Sequence, residues 1–295
     1  MILLTGATGF LGKALLKGLS RDSVVTLSKK NADINADLAS RVPLLQYFDM
    51  VIHAAGMAHV IPKLVKEGKL FFDVNVEGTQ NLLRGLENAG VPRSFIFISS
   101  VAVYGLKKGS LIDENCPLLA RDAYGLSKIE AEKVILEWCN RNNVICTILR
   151  LPLIAGQDPP GNLGAMIRAI KGGYYFNISN GKARKSIVMA EDIVLILPVV
   201  ARVGGVYHLT DGYHPSFAEL SSLIAKQLGK ERPYNIPSWV GKTIAKMGDL
   251  IGAKAPINSD KLLKITSDLT FDDSKARKEL SWNPIPVLKG YKIWT

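Results

Sequence analysis

Thr5-Gly6-Ala7-Thr8-Gly9-Phe10-Leu11-Gly12 constrains this chain more than any other stretch. It follows the apolar run Met1-Ile2-Leu3-Leu4 and precedes Lys13–Leu19, whose apolar residues fall at helical spacing. Strand, glycine turn and helix therefore come in the order a dinucleotide pyrophosphate needs. Gly6 supplies the tight turn, Gly9 lets the main chain approach a phosphate, and Gly12 lets the helix pack closely. Thr8, Phe10 and Leu11 lie at the helix N-terminus, where free N–H groups and the helix dipole favour an anion. The spacing is G-x-x-G-x-x-G, one residue wider than G-x-G-x-x-G.

Strand and helix patterns alternate after this turn. Ser23–Leu27, Met50–His53, Ser94–Ser99 and Val144–Leu149 read as strands; Phe71–Ala89 and Asp122–Asn142 read as helices. Continuous apolar strands joined by helices predict an α/β fold, a doubly wound parallel sheet covered on both faces. A ligand crevice then forms at the carboxyl ends of the strands. Ser186–Met189 and Val206–Leu209 read as later strands returning to the sheet. The expected division is 1–152 for the nucleotide-binding domain, its sheet completed from 183–210, and 153–295 for a smaller, interleaved substrate domain.

At 295 residues, 47% hydrophobic and 21% charged, the chain has globular composition and enough length for a large core. No apolar run approaches a membrane span, and the N-terminus enters a strand without a basic leader, so a cytoplasmic chain is expected. Cys116, Cys139 and Cys146 lack metal-ligand spacing and read as reduced thiols; His53 and His59 have no partner at such spacing, so no metal is expected. Lys plus Arg exceeds Asp plus Glu by 37 − 26 = 11. The basic residues are dispersed, with no basic helix or interleaved aromatic platform, which favours a phosphate-bearing small molecule over nucleic acid.

The end of the second strand selects the cofactor. An Asp or Glu there would accept hydrogen bonds from the adenosine ribose hydroxyls and repel a 2′-phosphate. This chain has Ser28-Lys29-Lys30, which suits the 2′-phosphate of NADP; NAD, with the lysines in a solvated loop, is the second choice. Asp37-Leu38 can contact the adenine or stand as surface residues. Ala54, Ala55 and Gly56 are small enough for backbone to lie against the cofactor.

The chemistry-bearing residues are Ser100, at a strand's carboxyl end, and Tyr124 with Lys128, four apart on one helix face. A nearby ammonium stabilises a phenolate and lowers the tyrosine pKa, so Tyr124 could exchange a proton with a substrate alcohol or carbonyl. Ser100 would hold the same oxygen while hydride moves between the carbinol carbon and a nicotinamide. A second Tyr-x-x-x-Lys, Tyr104–Lys108, sits in a loop between Gly105 and Gly109 and is rejected.

Thr5–Gly12, Asn75–Thr79, Ser99–Gly105 and Tyr124–Lys128 together resemble the extended short-chain dehydrogenase/reductase family, and more narrowly its nucleotide-sugar epimerase/dehydratase branch. Phe271–Ala276 and Leu280–Pro284 are similar to that family's closing segment. The resemblance implies a Rossmann domain, Ser100, Tyr124 and Lys128 as catalytic triad, Asn75 as the supporting Asn, and a nucleotide-sugar substrate. It also implies a possible homodimer.

Dehydratases of the branch carry an Asp-Glu pair after the serine; here Val101 and Ala102 cannot move protons. The 3,5-epimerase-reductases use a Cys and a His as additional acid and base, and no Cys lies in that segment here. That leaves reduction of a 4-keto sugar or 4-epimerisation. Ser28-Lys29-Lys30 favours an NADP-dependent reductase, and Gly56–Val60 with Arg184–Ser186 look like enzymes making 6-deoxy-N-acetylhexosamine nucleotides for surface polysaccharides. The expectation is therefore an NADP-dependent reductase of a nucleotide-linked 4-keto-6-deoxy sugar. A UDP-sugar 4-epimerase holding NAD is the alternative, and a non-catalytic NADP-binding regulator a further one. By the same resemblance Asn162 contacts the diphosphate and Arg184 or Lys185 pairs with its phosphates, while Met189 stands where the family has a His. Trp239–Ile251 is amphipathic, either packed on the substrate domain or serving as a lid, partner or membrane-surface contact.

Overall fold

The computed structural model describes residues 1–58, 65–251 and 258–293. Its centre is a seven-stranded sheet of β1 (Ile2–Thr5), β2 (Val24–Ser28), β3 (Ile34–Asn35), β4 (Met50–His53), β5 (Ser94–Ser100), β6 (Ile145–Leu151) and β7 (Gly205–Tyr207). All pairings are parallel and the spatial order is β7-β6-β5-β4-β1-β2-β3. The chain runs outward from β1 to β3, returns past it to β4, and continues outward to β7. The strand order therefore reverses between β1 and β4, where a crevice opens at the carboxyl ends.

Each face of the sheet has its own core. On one face, α1 (Phe10–Gly18) and Ala190–Val203 bury Leu11, Leu15, Ile193, Leu197 and Val200 against Leu4, Ile52 and Ile96. On the other, α2 (Gly78–Ala89) and α3 (Ala123–Arg141) bury Leu82, Leu86, Ile135 and Trp138 against Leu3, Val51 and Phe95. Strands buried on both faces explain why these runs are continuously apolar rather than alternating.

The segment expected as one helix over Phe71–Ala89 has three parts: a helix at Val65–Phe72, one π-helical turn at Asp73–Glu77, and α2. The wider turn carries Asn75 inward, where it is 2% exposed. Of the two later strands, Gly205–Tyr207 joins the sheet beside β6, whereas Ile187–Met189 pairs with Leu153–Ala155 outside it. A separate core of Leu163, Met166, Ile170, Leu220, Ile224 and Val287 lies under the helices Gly161–Lys171 and Phe217–Gln227. The chain alternates between the two layers after Leu151, since Ala190–Tyr207 returns to the sheet. His59 and Val60 lie outside the described residues.

Candidate active site

The glycine turn bridges β1 and α1. Gly6 has φ +71°, and a Cβ there would lie 2.6 Å from the backbone N of Ala55, so the turn and the Ala54–Ala55 segment touch through main chain alone. A Cβ on Gly12 would stand 2.0 Å from the Gly6 carbonyl oxygen, so the first turn of α1 packs directly on the glycine turn. Gly9 caps α1 without any side-chain hydrogen bond, which leaves the first-turn N–H groups of Phe10, Leu11 and Gly12 for a ligand. These groups fit the pyrophosphate of a dinucleotide. Thr8 and Gly9 are exposed at this edge, and Thr8 donates to the Ser28 hydroxyl across 3.4 Å.

The loop after β2 is partly committed. Ser28 is buried, Lys29 pairs with Asp37 at 3.1 Å, and Lys30 is exposed with no ion pair or hydrogen bond among the described residues. Asp37 also accepts from the Ala39 N–H, and Leu38 is buried beneath it. A cavity of about 410 Å³ opens beside this edge, lined by Thr8, Lys13, Arg21, Asn31 and Asp33.

At the carboxyl end of β5, Ser100 caps the short 3₁₀ turn Val101–Tyr104 by accepting from the Ala102 N–H at 3.2 Å. Asp122 caps α3 by accepting from the Gly125 N–H, which starts the helix one residue before Tyr124. Tyr124 is thereby placed within hydrogen-bonding reach of Ser100. Asn75 holds the start of α3 to the strand end after β4. It accepts from the Met57 N–H at 2.7 Å and donates to Met57 O and to Ser127 Oγ, and Ser127 donates to Tyr124 O. Ala54, Ala55 and Gly56 lie just before Met57 on that segment; Ala55 N–H donates to Thr5 Oγ1.

Electrostatics here differ from the sequence expectation. Burial raises the Tyr124 pKa above its ordinary value; the hydrogen bond with Ser100 opposes this, and Asp122 adds to it. Lys128 does not offset the rise, because its ammonium donates to Ile98 O at 2.7 Å and sits 3.8 Å over the Phe97 ring. Burial lowers Lys128 itself to about 7, with Glu132 partly opposing. The expectation that Lys128 lowers the tyrosine pKa is therefore corrected for the protein's own residues. Desolvation is the largest cause of both shifts.

Three expected substrate residues lie apart from this cluster in sequence and in partners. Asn162 is exposed in the first turn of Gly161–Lys171. Arg184 donates to His214 O at 2.9 Å and lies 3.7 Å from Glu219; Lys185 donates to Ser267 O at 3.0 Å. Burial lowers Lys185 to about 8.

Sequence reasoning passed over the buried network behind the site. Glu132 accepts from Ser99 and forms a 2.8 Å ion pair with Arg150, both side chains nearly inaccessible. Arg150 also donates to the Tyr104 hydroxyl, which meets His208 Nε2 at 2.7 Å. Two signals were available: Glu132 stands one helical turn beyond Lys128, and Arg150 is a charge inside an otherwise apolar strand. Tyr104, the first residue of the loop Tyr-x-x-x-Lys, is fully buried in this network.

The chain has full-length relatives among known proteins. The chain is 31% identical to a UDP-glucose 4-epimerase of Vibrio cholerae over 99% of its own length and 93% of the relative's. It is 30% identical to N-acetyl-alpha-D-glucosaminyl-diphospho-ditrans,octacis-undecaprenol 4-epimerase of Escherichia coli O157:H7, over 98% of this chain and 92% of that one. The solved structure of MoeE5 in complex with UDP-glucose and NAD shares the fold, with a TM-score of 0.73 at 21% identity, covering 96% of this chain and 93% of that chain. Residues 2–207, from β1 through β7, match the NAD dependent epimerase/dehydratase family. With its strand order, glycine turn and full-length relatives in agreement, the chain belongs to the NAD dependent epimerase/dehydratase family and is an NAD(P)-dependent enzyme of the extended short-chain dehydrogenase/reductase type.

Proposed function

We propose that this protein is an NADP-dependent reductase of a nucleotide-linked 4-keto-6-deoxy sugar, such as a UDP-4-keto-6-deoxy-N-acetylhexosamine. The observation that carries this reading is the juxtaposition of Tyr124 and Ser100, with burial holding the Tyr124 proton in place. A tyrosine that keeps its proton is suited to giving it to a carbonyl oxygen as that oxygen becomes an alcohol. Ser100 donates to the same oxygen and orients it. A reduced nicotinamide held at this edge would supply the hydride to the sugar carbon. Lys128, held by Ile98 O, stands one turn behind Tyr124 and Asn75 fixes the start of the helix that carries both.

The β2 terminus supports NADP. No carboxylate occupies the position of Ser28, the nearby Asp37 is already paired with Lys29, and the exposed Lys30 ammonium is uncommitted among the described residues, so a 2′-phosphate meets a free cation there. Gly6, Gly9 and Gly12 with the first-turn N–H groups would take the pyrophosphate, and Ala54–Gly56 would lie along the nicotinamide half. On the substrate side, Asn162 is the more available contact for the diphosphate. Arg184 and Lys185 already hold His214 and Ser267 carbonyls and would act from those positions.

A second reading, 4-epimerisation with retained NAD, is favoured by one observation: the Vibrio cholerae and Escherichia coli relatives described above both carry 4-epimerase names. One assay separates the two. Protein, NADPH and a UDP-4-keto-6-deoxy-N-acetylhexosamine should lose the reduced-nicotinamide absorbance in proportion to substrate. No loss of absorbance, with interconversion of UDP-N-acetylglucosamine and UDP-N-acetylgalactosamine, overturns the reductase in favour of the epimerase. Binding of NADPH without either turnover leaves the regulatory reading.

A further inference from the structure

The helix Ser238–Ile251 packs inside out. Its small residues Gly241, Ala245 and Gly248 are the ones buried, and a Cβ on Gly241 would lie 2.5 Å from the Ile178 side chain. Its large residues face solvent: Trp239 is 70% exposed, Met247 64%, Leu250 91% and Ile251 66%. At 100° per residue, Trp239, Thr243, Met247, Leu250 and Ile251 form one stripe opposite the glycine–alanine seam. Close approach to Ile178 accounts for the small residues facing inward, but it does not require the opposite face to be built from large apolar side chains rather than polar ones. Tyr234, on the strand just before the helix, is also solvent-exposed.

Charge distinguishes what the stripe faces. Lys242 and Lys246 flank it on one side, both exposed and with no ion pair or hydrogen bond among the described residues. The helix has one acidic residue, Asp249, which is exposed and engaged by Ser259, accepting from its N–H at 2.9 Å and from its Oγ at 2.6 Å, so it pairs with neither lysine. The stripe is thus an apolar band bordered by uncompensated ammonium groups, with a tryptophan at one end, on a chain of net charge +11. A second copy of the chain would bring the same two lysines toward each other. An anionic lipid surface instead takes the apolar side chains into its headgroup boundary and the ammonium groups against its phosphates.

We propose that the exposed face of Ser238–Ile251 docks the enzyme on an anionic lipid bilayer, with Trp239, Met247, Leu250 and Ile251 entering the interface and Lys242 and Lys246 contacting lipid phosphates. The helix lies in the plane of the surface and does not cross it. The inference stands independently of whether the enzyme reduces or epimerises its sugar.

The test is sedimentation of the whole protein with vesicles of phosphatidylcholine and phosphatidylglycerol in equal parts, against vesicles of phosphatidylcholine alone. Protein should pellet with the mixed vesicles and largely remain in solution with the neutral ones. Met247→Asp with Leu250→Asp should weaken binding by about tenfold or more, and Lys242→Glu with Lys246→Glu by roughly fivefold per lysine. Neither pair touches the buried seam, and turnover of a soluble substrate should be unchanged in both, which reports that each variant is folded. No pelleting with mixed vesicles, equal pelleting with neutral ones, or pelleting that survives both pairs of substitutions overturns the proposal. Conversion of a dimer to a monomer by Leu250→Asp in light scattering, without vesicle binding by the parent protein, assigns the face to self-association instead.

Discussion

Tyr124 and Lys128 share a helix face, yet each is governed more by burial than by the other. Desolvation favours the neutral phenol and lowers the ammonium to about 7. Tyr124→Phe keeps the ring contact with Phe71 and removes only the proton donor. Turnover should therefore fall about 10²–10⁴-fold while NADPH binding, followed by fluorescence titration, is retained. Undiminished turnover would remove Tyr124 from the chemistry. Lys30→Ala should raise the KM for NADPH and leave that for NADH nearly unchanged; equal effects on both would break the link between Lys30 and the 2′-phosphate. Gly12→Ala tests the turn itself. Its methyl would meet the Gly6 carbonyl, a backbone atom that cannot rotate away, so thermal denaturation should show a loss of about 1–3 kcal/mol or more together with weakened cofactor binding.

Three elements meet at the site, and Asn75 is where they are tied. The π-turn at Asp73–Glu77 turns its amide inward to satisfy Met57 on the segment after β4 and Ser127 on α3. Removing the amide leaves the partly buried Met57 N–H and the buried Ser127 hydroxyl without one of their partners. Asn75→Ala should cost about 1–3 kcal/mol in chemical denaturation. Because Ser127 in turn donates to Tyr124 O, the loss should also lower kcat more than it raises the KM for cofactor. A variant with full stability and lowered kcat would give Asn75 a direct role in place of a positioning one. The same element scale shows why the helix expected over Phe71–Ala89 is interrupted. A π-helical turn inserts about one extra residue, so Val65–Phe72 and α2 fall out of the register a single α-helix would give them, with Asn75 in the widened turn between them.

At the scale of the whole molecule, buried histidines make stability depend on acidity. His53 is held between Thr5 and Thr79 and burial lowers it to about 3; His208, against Tyr104 and Asp272, is lowered to about 4. Between these values and the unfolded value of about 6.5, the unfolded chain binds more protons than the folded one. Stability therefore falls as pH drops through that window and is level above it as far as these two groups are concerned. His53→Gln with His208→Gln should flatten the slope of denaturation midpoint between about pH 6.5 and 4, at some cost in stability at neutral pH. An unchanged slope would assign acid sensitivity to other groups.

Much of this was legible in the residues themselves because it is local. Gly6, Gly9 and Gly12 mark a turn between a strand and a helix, Asp122 marks a helix start, and apolar runs separated by helical patterns require a parallel sheet. Ser100, Tyr124 and Lys128 could be singled out because strand end and helix spacing alone bring them to one edge. The tertiary structure decided what depends on which surfaces are buried. It placed Ile187–Met189 beside Leu153–Ala155 instead of in the main sheet, and it buried Glu132 and Arg150 as a pair. It held the Tyr124 proton by desolvation where the sequence alone suggested a stabilised phenolate. It also turned the small side of Ser238–Ile251 inward. An apolar moment states that a helix has two sides, and only the shape of the surface opposite, here Ile178, selects which side fits.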